Sequence, residues 1–276
     1  MKHAGAAIAL LALSLPGLAA ASAWTLPKGD GQAILTGLGS DGPHGFDGAG
    51  DRVRIADYDK AEAYLLVEYG LTDAITVIVT PSLRHVSVDD ASRDTNGFGY
   101  TDLGARWRIA RGRDWVVSLQ ATLRAPGAER RDGLVQVDST GEEYDLRVLA
   151  GRSFGVLGRP AFVDLQGGYR VRDGGPPDEW RADLTLGVRP WPRVLLLAQS
   201  FNVASNGAGT GIFGEDRYDN LALSGVYDLD RRWSVQVGGY ATASGRNALD
   251  ERGGIVALWW RFGRQAALRP PITAHR

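Results

Sequence analysis

The chain of 276 residues contains no cysteine and only one methionine. The absence of cysteine excludes a disulfide framework and a thiolate metal site. An excess of one charge sign is also lacking, because 31 lysines and arginines stand against 32 aspartates and glutamates. This balance provides no basic surface for nucleic acid, so we expect no nucleic-acid partner. We also predict no metal or other cofactor.

A long apolar run is absent from the chain after Trp24. The one apolar run, within residues 6–15, follows the basic Lys2 and precedes Ala21-Ser22-Ala23. A basic start, a short apolar run and an A-x-A site are typical of a secretory signal peptide. A membrane anchor is the alternative, but the run is short for the ~20 residues of a spanning helix. We therefore predict that residues 1–23 are a cleaved signal peptide.

Alternation of apolar and polar residues is what the chain has in abundance. Over residues 61–69, one set of alternate positions is apolar and ends in Tyr69, whereas the other set begins with Glu62 and ends with Glu68. A two-residue period predicts a β-strand with two chemically different faces. Turn-forming residues follow at 70–74, and the alternation then resumes. This stretch is therefore a predicted β-hairpin.

Segments of the same kind recur along the chain, and their connections alternate in length. Short turns are predicted near residues 72, 112, 157, 191 and 230, and longer polar loops near 50, 93, 134, 211 and 248. Bacterial outer-membrane barrels have short periplasmic turns, long extracellular loops and an even number of strands. About twelve strands are predicted, at 31–38, 61–69, 75–83, 102–109, 115–124, 144–154, 161–172, 180–189, 194–203, 221–227, 233–242 and 255–262.

The fold class that this pattern predicts is all-β, as one antiparallel transmembrane barrel over residues 24–262 in the outer membrane. The two faces of the segment 194–203 cannot be distinguished, because both are mixed. The last strand carries Leu258, Trp260 and Phe262 on one face and resembles the signal read by the barrel-assembly machinery. We therefore expect that machinery and outer-membrane lipid as partners. A basic, proline-containing tail, 263–276, is predicted to be disordered.

A soluble sandwich or a lipocalin-like barrel is the alternative fold, and it would bury the apolar face inside. If the apolar face contacts lipid instead, the charged face lines the lumen. That lining predicts either a narrow pore attracting anionic small molecules or sugar acids, or a lumen filled by its own ion pairs. The candidate lumen-lining residues are Glu62, Glu68, Asp102, Arg106, Arg108, Arg124, Asp145, Arg147, Asp164, Arg170, Arg172, Arg181, Asp183 and Arg189.

One possible catalytic pair stands apart from this lining. His85 and Ser87 are two residues apart on a predicted strand, so both side chains point the same way, toward lipid. Some outer-membrane lipid hydrolases carry a histidine and a serine at this spacing, and the histidine takes the serine proton. Here Val88 replaces the asparagine that follows the serine in those enzymes, and no third residue can be named. The interpretation as a polar pair at the rim of the barrel is therefore favoured.

Several short motifs together resemble a known family. They are Trp24-Thr25-Leu26-Pro27, the turn at 68–73, Ala161-Phe162-Val163-Asp164, the segment 196–201 and Leu258-Trp259-Trp260-Arg261-Phe262. The chain resembles the XagA-type family of outer-membrane proteins, akin to the barrels grouped under phenol meta-pathway transport. The resemblance implies a barrel associated with surface polysaccharide or with the passage of small molecules, and it implies no catalytic residue.

The function that we predict is a non-enzymatic outer-membrane barrel that serves as a narrow channel or as a component of polysaccharide export. Two alternatives remain. One is a closed-lumen surface barrel with a structural or adhesive role, and the other is a lipid-face hydrolase that uses His85 and Ser87.

Overall fold

The computed structural model describes residues 22–88, 95–127, 141–211 and 213–263. The predicted signal peptide, apart from its last two residues, and the predicted disordered tail beyond residue 263 lie outside this part. Within these residues no helix is long and apolar enough to cross a membrane. The elements are fifteen β-strands. They are β1 (Gly31–Phe46), β2 (Arg52–Arg54), β3 (Tyr58–Gly70), β4 (Ile75–Thr80), β5 (Ser82–Val88), β6 (Thr95–Phe98), β7 (Thr101–Arg111), β8 (Trp115–Ala125), β9 (Glu143–Val156), β10 (Arg159–Arg172), β11 (Glu179–Trp191), β12 (Val194–Ser205), β13 (Arg217–Asp228), β14 (Trp233–Arg246) and β15 (Ala248–Phe262).

The sheet closes on itself because β1 pairs with both β15 and β3. The strands β4 and β5 are separated only by Pro81 and both pair with β3, so together they count as one strand of the barrel. Each neighbouring pair is antiparallel. Two short strands, β2 and β6, extend this sheet beyond the barrel. The predicted twelve-stranded antiparallel barrel is therefore confirmed.

Strand lengths differ from the prediction at one end of the barrel. Residues 40–46 and 248–253 were predicted to be polar loops, but they pair with one another as continuations of β1 and β15. Glycine and polar residues occupy both faces there, so the apolar–polar alternation disappears although the backbone ladder continues. Hydrogen bonding between strands does not require alternation, and the sequence pattern therefore underestimates strand length outside the apolar zone.

Five connections of two to four residues join β3 to β4, β7 to β8, β9 to β10, β11 to β12 and β13 to β14. They lie at one end of the barrel, which we call the turn end; the other is the loop end. The tightest connection is Leu157-Gly158, where both residues have a positive φ, of 50° and 72°. Two such residues form the reverse turn that fits the twist of a hairpin.

Large apolar side chains cover the outside of the barrel. Leu165 and Leu186 are 53% and 44% exposed, so the soluble alternative, which would shield them inside, is wrong. Trp260 of the closing strand also faces outward, and its ring packs on Phe262 with 4.9 Å between centroids. An apolar band between aromatic side chains is the surface that a transmembrane barrel presents to lipid. Exposed aromatics near the turn end are Tyr69, Trp107, Trp115, Phe154, Trp191, Tyr227, Trp233 and Trp260, and those toward the loop end are Phe98, Tyr144 and Trp180.

Candidate functional site: the barrel lumen

One side of the lumen is formed by the inward-facing side chains of β7–β11, which we call the charged wall. Alternation along each strand sends every second side chain inward, and on these five strands the inward positions are mostly arginine and carboxylate. Burying so many charges is tolerable only when each is paired and hydrogen-bonded. The members are Arg106, Arg124, Glu143, Asp145, Arg147, Asp164, Arg170, Arg172, Glu179, Arg181 and Asp183, and all are nearly inaccessible to water.

Ion pairs connect this wall from strand to strand. The carboxylate of Glu143 forms ion pairs with Arg124 at 2.8 Å, Arg170 at 3.3 Å and Arg172 at 2.9 Å. Arg147 donates through Nε and Nη2 to both oxygens of Asp145, at 2.6 and 3.1 Å. This two-point contact has the geometry in which arginine binds a carboxylate most strongly. Further pairs join Arg147 to Asp183 at 2.6 Å, Arg172 to Glu179 at 2.7 Å and Arg181 to Glu179 at 2.9 Å.

The residues predicted to line the lumen all have side chains on its inner side, but not in one group. Seven belong to the network above, and Asp102 joins it through Arg124 at 2.8 Å. Glu62 pairs with Arg84 at 3.1 Å, away from the charged wall. Arg106 pairs with Glu68 at 3.1 Å, and Arg108 and Asp164 contact the N-terminal segment described below. Arg189 binds Asp228 at 2.8 Å near the turn end.

Several charged residues of the lumen were missed from the sequence. Glu143 and Glu179 lie one residue before the predicted starts of their strands, so an error at the strand boundary removed them from the inward set. Lys60 likewise lies one residue before its predicted strand, whereas Glu251, which pairs with it at 2.7 Å, lies in a stretch predicted to be a loop. Extending the alternation by one residue at each strand start would have found Glu143, Glu179 and Lys60.

The other side of the lumen is mainly apolar, so the prediction that charged residues line the whole lumen is wrong there. The inward side chains of β12–β15, together with those of β1 and β3, are mainly apolar and aromatic, and we call them the apolar wall. Its members pack in two buried clusters. A small polar group around Lys60, Glu62, Arg84 and Glu251 interrupts it toward the loop end. The clusters contain Ile34, Leu66, Ile78, Leu195, Leu197, Val226, Ala257 and Trp259, and Leu38, Tyr64, Phe201, Ala222, Tyr240 and Ile255.

Residues 22–30, which we call the N-terminal segment, run inside the barrel from the turn end, and the first two of them belong to the predicted signal peptide. Leu26 donates its backbone N–H to Thr76 Oγ1 at 2.8 Å, close to the first turn. Further in, the Trp24 carbonyl accepts from Arg106 Nη1 at 3.2 Å, and the Ala23 carbonyl accepts from Ser118 Oγ at 2.6 Å. The segment therefore bonds to the strands over its whole length in the lumen.

The innermost residues of this segment are fully enclosed. Ala23 is 0% exposed, and its backbone N–H donates to the Asp164 carboxylate. The Trp24 ring meets Phe162 edge to face, with 6.0 Å between centroids, and packs over Gly151. A Cβ added at Gly151 would lie 2.6 Å from the Trp24 ring, so glycine makes room for it. The segment therefore occupies the lumen toward the turn end.

His85 and Ser87, the possible catalytic pair, do not belong to the lumen. They lie on β5 at alternate positions to the inward residues Arg84, Val86 and Val88, so their side chains point to the outer surface. No group of three or more histidine, aspartate or glutamate side chains in the described ranges is arranged to hold a metal ion.

No family model matches the chain, and no curated protein matches it. Solved structures do match. The COG4313 outer membrane channel from Pseudomonas putida F1 has a TM-score of 0.74 at 18% identity, over 91% of this chain and 100% of that chain. A KdgM porin in complex with disordered oligogalacturonate has a TM-score of 0.51 at 11% identity, over 83% of this chain and 99% of that chain.

At these identities the matches establish the fold, which is that of outer-membrane barrel channels and porins. The fold and the lipid-facing exterior together place the chain in the outer membrane. The more specific resemblance to XagA-type proteins stays a prediction.

Proposed function

We propose that this outer-membrane barrel is a narrow channel for small molecules, with a lumen that is non-enzymatic and is held closed by the N-terminal segment. The observation that carries the proposal is the course of residues 24–30 inside the barrel, bonded to Thr76, Arg106 and Arg108. The side-chain hydrogen bonds that hold this segment lie outside the strand ladder, so the segment can leave without breaking the pairing of the strands. The barrel wall, by contrast, is closed by continuous pairing and is rigid.

The chemistry of the lumen favours small anionic passengers that also carry an apolar part. Arginines on the charged wall can exchange an internal carboxylate partner for one from a passenger, at little net electrostatic change. The apolar wall offers aromatic and aliphatic contacts to the rest of that molecule. The complex of the KdgM porin with oligogalacturonate supports the view that a barrel of this general shape admits sugar acids.

A disulfide lock tests the closure. The chain has no cysteine, so the double variant Leu26→Cys, Thr76→Cys has only the introduced pair. The backbone of Leu26 and the side chain of Thr76 are 2.8 Å apart, which brings the two new side chains near each other. In planar bilayers we expect oxidised protein to stay closed and reduced protein to show conductance steps.

Two controls accompany the lock. Each single-cysteine variant should respond to neither oxidant nor reductant. The double variant Val237→Cys, Val256→Cys places cysteines on paired positions of the lipid-facing surface, and its oxidation should leave conductance unchanged. Equal conductance of the oxidised and reduced lock would refute closure by the N-terminal segment.

The closed-lumen surface barrel is the second candidate, and the dense pairing inside the lumen favours it. If reduced protein, wild type and every variant give no conductance steps, this candidate replaces the channel. We also propose that the barrel-assembly machinery inserts the chain by its last strand. The link to polysaccharide export rests on the XagA-type resemblance and is tested by measuring surface polysaccharide in a deletion strain.

A further inference from the structure

We infer that the outer surface of the barrel carries a second site, a serine esterase formed by Ser87, His85 and Asn96 that acts on membrane phospholipid. Asn96 on β6 is the direct cross-strand partner of His85 on β5. Its Oδ1 lies 2.5 Å from Nδ1 of the His85 imidazole. The structure thus supplies the third residue that the sequence did not reveal, eleven positions along the chain from the histidine.

This contact orients the imidazole. An amide oxygen only accepts, so the Nδ1–H of His85 donates to Asn96 and the lone pair of the ring is on Nε2. Ser87 lies on the same face of the same strand, and its Cα is about 7 Å from that of His85 at the usual strand rise. A histidine oriented by a third group and adjacent to a serine is the arrangement that activates a hydroxyl nucleophile.

The depth of the three residues matches that of a phospholipid ester. Leu83 and Phe98 form the outward-facing cross-strand pair next to His85 and Asn96, on the side of the turn end. They are 51% and 63% exposed, as side chains of the apolar band are. Along β3 the distance from Tyr69 to the level of Ser87 is about ten residues, or roughly 25 Å along the membrane normal for a tilted strand. That is the height of the apolar band, so the site lies where hydrocarbon meets head groups.

A groove beside His85 fits the rest of the lipid. Its volume is about 620 Å³, and its floor is made of small outward-facing residues, among them Gly39, Ala61 and Gly254. Residues of this size leave room for an acyl chain against the barrel wall. Arg252, Asp41 and Asp59 also line this groove and are exposed, and the guanidinium of Arg252 is the one of these groups that can bind the lipid phosphate.

The reaction needs water and no other reagent. Ser87 Oγ bonds to the ester carbonyl carbon while its proton passes to His85 Nε2. The ester C–O bond then breaks, and the departing glycerol oxygen takes that proton. Water repeats the sequence on the acyl-serine, which releases the fatty acid and restores the Ser87 hydroxyl. The products are one fatty acid and one lysophospholipid.

The test measures fatty-acid release from dioleoylphosphatidylglycerol vesicles containing the purified barrel, with labelling by a fluorophosphonate probe. Wild type should release oleate and take one label on Ser87, and Ser87→Ala should lose both. Asn96→Ala should keep Ser87 but lower the rate by about 10²-fold, as for loss of an orienting group. Ser200→Ala, also outward-facing but on β12, is the matched control and should behave as wild type.

Heat-modified gel mobility shows that each variant is folded before it is assayed. Folded wild type that neither releases oleate nor accepts the label overturns the proposal, as does release that survives Ser87→Ala. The site is independent of the channel, so the oxidised Leu26→Cys, Thr76→Cys lock should retain full release.

Discussion

The charged wall and the apolar wall occupy equivalent places in one barrel and are stabilised in opposite ways. On the charged wall each side chain depends on particular partners, such as Glu143, which binds three arginines. On the apolar wall Phe201 and its neighbours need only close packing. Removing one partner of a buried ion pair leaves the other charge buried without compensation. Shortening an apolar side chain only loses packing contacts, in proportion to the atoms removed. The charged wall is therefore the more specific half and the more vulnerable one.

The largest effect is expected from breaking the charged wall at its centre. Glu143→Gln removes the carboxylate shared by Arg124, Arg170 and Arg172 and should lower the free energy of unfolding by about 3–5 kcal/mol. Urea unfolding in lipid vesicles, followed by tryptophan fluorescence, measures the change. Asp57→Asn is the control, because its pair with Arg54 is exposed to solvent and should contribute about 1 kcal/mol or less. Equal losses for the two variants would contradict the distinction.

A somewhat smaller effect is expected from the apolar wall. Leu66 is 1% exposed, and Leu66→Ala should cost about 2–4 kcal/mol through lost burial and the cavity that remains. Leu35 lies on the neighbouring strand with its side chain in lipid, so Leu35→Ala is the matched control. The same unfolding assay applies. If the lipid-facing substitution costs as much as the inward one, the apolar wall is not a packed core.

The N-terminal segment bonds to the charged wall and to β4, and loosening it should change gating more than stability. Thr76→Val removes the acceptor of the Leu26 N–H, which belongs to the part of the segment that remains after the predicted cleavage. The loss of one hydrogen bond is worth about 1 kcal/mol, so the open fraction in planar bilayers should rise about fivefold. Thr122→Val, in the lumen on β8, is the control and should leave gating unchanged. An unchanged open fraction in Thr76→Val would show that this hydrogen bond does not hold the segment.

The smallest effect concerns a carboxylate that belongs to neither wall. Asp230, in the turn before β14, accepts backbone N–H groups of Trp233 and Arg232, which hold the pKa of its carboxyl below the ordinary value. A lowered folded pKa stabilises above the unfolded pKa, about 3.9, and this contribution disappears as the pH falls through the folded pKa. Thermal unfolding between pH 3 and 7 should show a slight acid loss that Asp230→Asn lacks. An identical pH dependence in the variant would show that Asp230 does not contribute to the loss of stability in acid.

Strands with different faces were predictable, and strands with similar faces were not. On β9, Leu146 and Val148 alternate with Asp145 and Arg147, so the sequence predicts both the strand and its lipid-facing side. On β12 the inward residues Leu195 and Leu197 are as apolar as the outward ones, because they belong to the apolar wall. Alternation measures a difference between two faces, and it carries no information where both contact apolar surroundings.

The sequence by itself determined the local structure, since backbone pairing and a two-residue period are properties of neighbouring residues. It thereby specified the barrel, its strand number and its lipid-facing surface. Only the tertiary structure decided which groups meet: Arg170 with Glu143, 27 positions apart, His85 with Asn96, and the N-terminal segment with Asp164. These contacts depend on the register between strands and on the path of a segment through the lumen. Neither leaves a periodic signal in the chain, because each arises from the closure of the whole cylinder.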